Sequence, residues 1–250
     1  MEDVLFGVQA VREALRAGRA VDSVLLAGGG ALGGIRSLCR DKRIPIKDSD
    51  SRKLDLLSDG GNHQGVVALI AAHTYASLDD LFARARERGE APFFVLLDGL
   101  EDPHNLGAIA RTAEAAGAHG LILPERRSVG LTATVAKVAA GALEYLPVAR
   151  VGNLAACMEE LQKRGVWLYG ADMGGSAYDG VDYAGGVGLV IGAEGRGLGT
   201  LVKNRCDFVV SLPMRGQIQS LNASVAAGIL LYEIAKHRVH STPESGGVQS

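Results

Sequence analysis

Five unbroken apolar runs follow Pro92, at Phe93 to Leu97, Gly120 to Leu123, Val166 to Ala171, Val187 to Ile191 and Phe208 to Leu212. A strand with one wet face alternates apolar and polar residues, whereas continuous apolar runs are buried on both faces. Helical patterns separate these runs, at Asn105 to Ala116, Thr132 to Ala139, Leu154 to Arg164 and Asn222 to His237, the last reading as an amphipathic helix. The combination predicts an α/β fold with a parallel sheet covered by helices on both faces.

The chain before Pro92 has a different texture. Val8, Val11, Ala14 and Leu15 recur at helical spacing from Gly7 to Ala17, and Ser23 to Ala27 forms a short apolar strand before a Gly-rich turn. A helix from about Leu32 to Lys42, a strand at Ile44 to Lys47, a helix near Arg52 to Leu57 and a strand at Val66 to Ala71 complete an alternating β/α unit. The polar, charged and helix-like stretch Thr74 to Glu90 ends at Gly89-Glu90-Ala91-Pro92, which marks a linker boundary. The reading is a small α/β domain over 1–75, a linker over 76–91, a larger domain over 92–240 and a disordered tail over 241–250.

With 47% apolar residues in 250, the chain can bury real cores. Twenty-six basic against 28 acidic residues give a net charge of −2, so any anionic polymer must be met by a local basic footprint. Arg36, Arg40, Lys42, Arg43, Lys47, Arg126, Arg127 and Arg215 are the candidates. Cys39, Cys157 and Cys206 are too scattered for a disulfide framework or a zinc site and read as reduced, mostly buried thiols. The first ten residues lack the basic-then-apolar pattern of a secretion signal, and no apolar run approaches the ~20 residues of a membrane span. The expected location is the cytoplasm, with no membrane and no metal.

Open α/β sheets bind ligands at the carboxyl ends of their strands, and three loops there are unusual. The first, Asp98-Gly99-Leu100-Glu101-Asp102-Pro103-His104-Asn105, opens a helix that carries Arg111. Asn105 and Arg111, six residues apart, lie about 9 Å apart along the axis and are offset by roughly 120°, so a group at the helix mouth could touch both. Equally, Asn105 reads as a helix cap and Arg111 as a surface cation. The second, Gly192-Ala193-Glu194-Gly195-Arg196-Gly197, lets backbone amides approach a ligand but departs from the G-x-G-x-x-G dinucleotide fingerprint. The third runs from Leu212 through Met214 to Ser220-Leu221-Asn222-Ala223-Ser224, where Ser220 or Asn222 could cap the next helix and leave the other facing the same strand ends.

Together, Asp102-Pro103-His104-Asn105-Leu106-Gly107, Gly192-Ala193-Glu194-Gly195 and Ser220-Leu221-Asn222 resemble the three signature motifs of the SpoU (TrmH) family of RNA ribose methyltransferases. The resemblance spans about Phe93 to Arg238, and Ala223 replaces the commoner family valine. The N-terminal unit, with Phe6-Gly7 and His63-Gln64-Gly65, is similar to the ribosomal-protein-like RNA-binding domain of the RlmB-type branch, which methylates a guanosine of 23S rRNA.

The resemblance implies a deep trefoil knot, S-adenosylmethionine as cofactor, structured RNA as substrate and an active homodimer. It assigns Asn105, Arg111, Glu194, Ser220 and Asn222 to the catalytic pocket, and Gly192, Leu212, Met214, Leu221 and Ala223 to cofactor binding; Ser224 also matches. Arg111 would act as base or as a cation steadying an alkoxide or phosphate. Val225, Ile229, Tyr232 and Ile234 could supply dimer contact or belong to an internal core. The rivals are a catalytically inactive RNA-binding protein, which would have eroded motifs, and a nucleotide-dependent oxidoreductase, which would need the missing fingerprint turn. A tRNA guanosine methyltransferase and a resistance-type rRNA methyltransferase share the plan.

Overall fold

The computed structural model describes residues 4–28, 32–218 and 220–239. The tail expected to be disordered at 241–250 lies outside these residues.

The N-terminal unit runs β1 (Val4–Phe6), α1 (Val8–Arg16), β2 (Val21–Leu26), α2 (Gly33–Asp41), β3 (Ile46–Asp48), α3 (Ser51–Leu57) and β4 (Val66–Ile70). Its sheet has the order β1-β4-β2-β3. Only β2 and β3 are parallel; β4 runs antiparallel to both β1 and β2, so the unit is a mixed sheet rather than a simple β/α alternation. Strand β1 escaped the sequence reading because three residues carry no period. Val11, Leu15, Ile35 and Cys39 close the helix-covered face.

The polar segment after Tyr75 forms α4 (Leu78–Glu87), started by a capping box in which Ser77 and Asp80 satisfy each other's backbone amides. Its Leu81 and Phe82 pack under the main sheet. That sheet is built from β5 (Phe93–Asp98), β6 (Gly120–Pro124), β7 (Val148–Val151), β8 (Val166–Ala177), β9 (Gly186–Gly192) and β10 (Phe208–Ser211), in the order β10-β8-β9-β5-β6-β7. Every neighbouring pair is parallel. Residues of β5 alternate between two cores: Phe93, Val95 and Leu97 face one way, and Phe94 and Leu96 the other. The first face is covered by α5 (Pro103–Ala115), α6 (Ala133–Ala139) and α9 (Ala223–Val239), the second by α4, α7 (Leu154–Lys163) and α8 (Thr200–Lys203). Both faces are sealed, as continuous apolar strands require.

Three expectations need correction. Strand β7 was overlooked because Arg150 interrupts a short apolar run. Strand β8 continues to Ala177 because Gly174 and Gly175 carry it past Val209, whose carbonyl oxygen would lie 2.4 Å from a Cβ on Gly175. Helix α9 is not amphipathic: apolar residues surround it, with Ala227, Leu230, Leu231 and Ile234 buried and Val225, Ile229 and Tyr232 exposed. Ile234 therefore belongs to the core and not to a docking face. All three cysteines are free, and burial pushes the Cys39 thiol up to about 11 and those of Cys157 and Cys206 up to about 12.

The N-terminal unit is fastened to the main sheet by a buried polar cluster. Arg150 Nη1 donates to the Asp22 carbonyl at 2.6 Å and to its carboxylate at 3.1 Å, and the Tyr75 hydroxyl donates to the same carboxylate at 2.8 Å. Leu131 N donates to the Tyr75 oxygen at 3.0 Å. Burial and the Asp22 carboxylate hold the Tyr75 phenol well above its usual range. A Cβ on Gly130 would lie 1.4 Å from Asp22 Oδ1, so the contact demands glycine there.

Candidate active site

The carboxyl end of β5 turns into α5 because Asp102 caps it, accepting from His104 N at 3.1 Å and Asn105 N at 3.3 Å, with Pro103 supplying the preset first-turn φ. Asn105 is thus not the cap. It sits within the first turn, 6% exposed, with its carboxamide free to face the neighbouring loops.

Strand β9 ends at Gly192, where a Cβ would lie 2.2 Å from the backbone of Gly197. Only glycine permits this tight return, which an Ala193–Gly197 bridge closes. Two aspartates pin the loop from outside. Asp98 Oδ2 accepts from Gly199 N at 2.8 Å, and Asp172 Oδ2 accepts from Leu198 N at 3.3 Å while Lys203 Nζ stands 3.0 Å from its other oxygen. Neither aspartate was singled out in sequence; Asp172 lies beyond the apolar run that marked its strand.

The third loop enters α9 through Asn222, whose Oδ1 accepts from Ser224 N at 2.9 Å, Ser224 Oγ at 2.6 Å and Val225 N at 3.4 Å. This is an N-cap. The same side chain also spans the site, since Nδ2 donates to Asn105 Oδ1 at 2.9 Å and to Glu194 Oε2 at 3.2 Å. Asn105 Nδ2 reaches the same Glu194 oxygen at 3.4 Å. Three loops therefore converge on one carboxylate, with both hydrogens of the Asn222 amide in use.

Beside this triangle lies a pocket of ≈ 240 Å³. Its walls are apolar, from Ile191, Leu212, Leu221, Ala223 and Leu230, and its edge carries Asp172, Glu194 and Ser220. Gly192 and Met214 also border it, so all five residues expected to bind cofactor surround one cavity. Ser220 borders the pocket from an exposed position. Arg111 is not brought in: it is exposed on α5 and borders neither the pocket nor the triangle. Among the described residues no group of three or more His, Cys, Asp or Glu side chains could hold a metal ion, and no helix is long and apolar enough to cross a membrane.

The pocket's chemistry suits a nucleoside with an aliphatic arm: apolar side chains form its walls, and Asp172, Glu194 and Ser220 place a few polar groups at its edge, as small-molecule sites require. The profile of the SpoU rRNA methylase family matches residues 92–232, and that of an RNA 2′-O ribose methyltransferase substrate-binding domain matches residues 4–76. A TrmH family tRNA/rRNA methyltransferase, YacO, of Bacillus subtilis (strain 168) is 48% identical over 240 residues, covering 94% of this chain and 96% of the relative. A TrmH family relative from Staphylococcus aureus (strain MSSA476) is 42% identical, covering 95% and 98%. Among solved structures, the SpoU methyltransferase AviRb from Streptomyces viridochromogenes in complex with AdoMet superposes with a TM-score of 0.62 at 30% identity, covering 96% and 92%. The AdoMet-bound rRNA methyltransferase from Sinorhizobium meliloti gives 0.57 at 25%, covering 94% and 87%. With its three signature loops meeting at the Glu194 carboxylate beside an apolar cavity, the chain belongs to the SpoU (TrmH) family and is an S-adenosylmethionine-dependent RNA ribose methyltransferase.

Proposed function

We propose that the chain methylates the 2′-hydroxyl of a guanosine in 23S rRNA, with residues 92–240 as the catalytic domain, 1–75 as the RNA-binding domain and 76–91 as the packed connection between them. The observation that carries the reading is the Asn105–Glu194–Asn222 triangle at the rim of the apolar pocket. Gly192, Leu212, Met214, Leu221 and Ala223 hold the cofactor, which supplies an electrophilic methyl group. A neutral ribose hydroxyl is a weak nucleophile, so the protein must align it and steady the charge that develops on its oxygen.

Asn105, Glu194, Asn222 and Ser220 orient the ribose and the cofactor by hydrogen bonds. Because the triangle is already assembled, little reorganisation is needed when substrate arrives. Arg111 acts from outside it. Guanidinium groups recognise phosphate and developing negative charge through their fork of N–H donors, which favours the cationic role of steadying the oxyanion or an adjacent phosphate over that of a base. Ser224 supports the site indirectly through Asn222.

The trefoil threading and the homodimer are part of the reading. Supporting the first, the chain passes from β9 to the outer strand β10 and returns through 212–222 to α9, which packs on α5. Supporting the second, Val225, Ile229 and Tyr232 form an exposed apolar stripe on α9 that suits contact with a second copy. The reading places the protein in the cytoplasm, with its RNA. The rRNA assignment is supported by the rRNA methylase description of the family matched over residues 92–232 and by a structural neighbour described as an rRNA methyltransferase. Mapping 2′-O-methyl groups in rRNA and tRNA from cells with and without the gene tests it. Loss of one 23S guanosine modification is expected; loss of a tRNA modification instead would overturn the rRNA assignment.

A further inference from the structure

Between the two domains runs a second, larger cleft of ≈ 1340 Å³, separate from the pocket described above. The N-terminal unit lines it with Arg19, Arg40, Lys42, Arg43 and Lys47. The opposite wall adds Arg126 and Arg127, from the loop that leaves β6. All seven side chains belong to exposed residues. None of them appears in an ion pair among the described residues. Two carboxylates border the same space, and Glu160 is already paired with Arg164 at 2.6 Å. Among the described residues that line the cleft, Glu125 is the one carboxylate left to offset these seven cations, in a chain whose net charge is −2. Arg36, by contrast, pairs with Asp48 at 2.6 Å, and neither it nor Arg215 borders the cleft.

Backbone conformation singles out one arginine on each wall. Arg43 has φ 55° and Arg127 φ 56°, the left-handed region that glycine fills without strain and other residues rarely enter. Arg43 follows the last turn of α2, where the common residue is glycine. Retaining a long cation at both strained positions points to a use for the charge.

Location supplies the ligand. Because the main sheet is entirely parallel, the loops leaving β6 and β7 open on the same edge as the pocket at the ends of β8 and β9. Strand β6 is two places from β9 in the sheet, about 10 Å away at ~4.8 Å per strand. We propose that the interdomain cleft is a phosphate-tracking groove that holds the sugar-phosphate backbone of the RNA flanking the methylated nucleotide, and that Arg43 and Arg127 grip it from opposite walls. The proposal rests on the RNA methyltransferase reading above. The cleft contributes affinity and register rather than base identity, since phosphate contacts position a nucleic acid without reading its sequence.

The decisive variant is R43G/R127G, because glycine relieves the backbone at both positions while deleting the charges. Its melting temperature should equal or exceed that of the wild type, and its affinity for S-adenosylmethionine, measured by calorimetry, should not change. Affinity for transcribed 23S rRNA should fall on the order of ten- to a hundred-fold at 50 mM KCl, and the slope of log K against log salt should become shallower by about 1.5. R52A/R86A, which removes two exposed cations away from the cleft, should leave that slope unchanged. A folded R43G/R127G protein that binds the RNA with wild-type affinity and slope overturns the groove while leaving the enzyme reading intact. Wild-type protein that binds S-adenosylmethionine but no RNA overturns both.

Discussion

Asn222 donates to the Oδ1 of Asn105 at 2.9 Å across 117 residues of chain, while its own Oδ1 caps the helix that follows it. One carboxamide thus starts α9 and ties that helix to the loop that opens α5. The start of a helix and the geometry of the site are set by the same side chain.

These two duties can be separated. Asn222→Asp keeps an acceptor for Ser224 N and Val225 N but loses the donor and sets a second carboxylate against Glu194. Asn222→Ala loses the cap as well, worth about 1 kcal/mol of stability. Methyl transfer should fall in both variants by roughly ten- to a hundred-fold, the cost of losing a hydrogen bond to a charged partner, but the melting temperature should fall clearly only in Asn222→Ala. Wild-type turnover in Asn222→Asp would remove the bridge from the account.

At Gly192 the backbone of Gly197 leaves no room for a side chain, with 2.2 Å to the nearest atom from an added Cβ. Gly192→Ala must displace the 193–197 loop. Calorimetry should show S-adenosylmethionine affinity reduced by about ten-fold or more, because the loop lines the pocket. Unchanged affinity would mean that the loop does not shape the cofactor site.

The Asp22–Arg150 pair joins the domains with side-chain exposures of only 3% and 9%. Arg150→Ala leaves the Asp22 carboxylate buried against Tyr75 without its cation, which typically costs about 3–5 kcal/mol. Urea denaturation should show this loss. A drop of less than about 1 kcal/mol would show that water or the Tyr75 hydroxyl compensates.

His119 is fully buried, and Phe93 N donates to its Nδ1 at 3.0 Å, which fixes the neutral ring. Burial lowers its pKa to about 4, although the Glu90 carboxylate 3.3 Å from Nε2 pulls the other way. In the unfolded chain the ring takes a proton near pH 6.5. Protons therefore favour the unfolded state, so this contribution is complete above pH 6.5 and is lost as pH falls toward 4, on the order of 1–2 kcal/mol by pH 5. His119→Asn, which offers Oδ1 to the Phe93 amide, should flatten the change in urea midpoint between pH 7 and pH 5. An unaltered slope would assign the pH dependence to other groups.

The main sheet was legible because strands buried on both faces leave continuous apolar runs, as at Val187 to Ile191. Edge strand β7 was not, since Arg150 leaves the sheet for Asp22, a residue 128 positions earlier that no local pattern connects to it. The site residues Asn105, Glu194 and Asn222 could be found because they stand in or beside the loops at the strand ends, inside the three motifs that resemble the family's signatures. Asp98 and Asp172 looked like ordinary strand ends until the Gly192 loop folded back onto them. The all-round apolar surface of α9 defeats a periodicity argument, because burial on one side and exposure on the other use the same residue types.

Treating transcribed rRNA with radiolabelled S-adenosylmethionine and the protein, and then digesting the RNA with alkali, tests the central claim most directly. A methylated 2′-oxygen cannot attack the neighbouring phosphodiester. The account therefore predicts that label appears in alkali-resistant dinucleotides, and that Asn105→Ala, Glu194→Ala and Asn222→Ala each abolish most of it. Label released in mononucleotides would place the methyl group on a base and contradict the account.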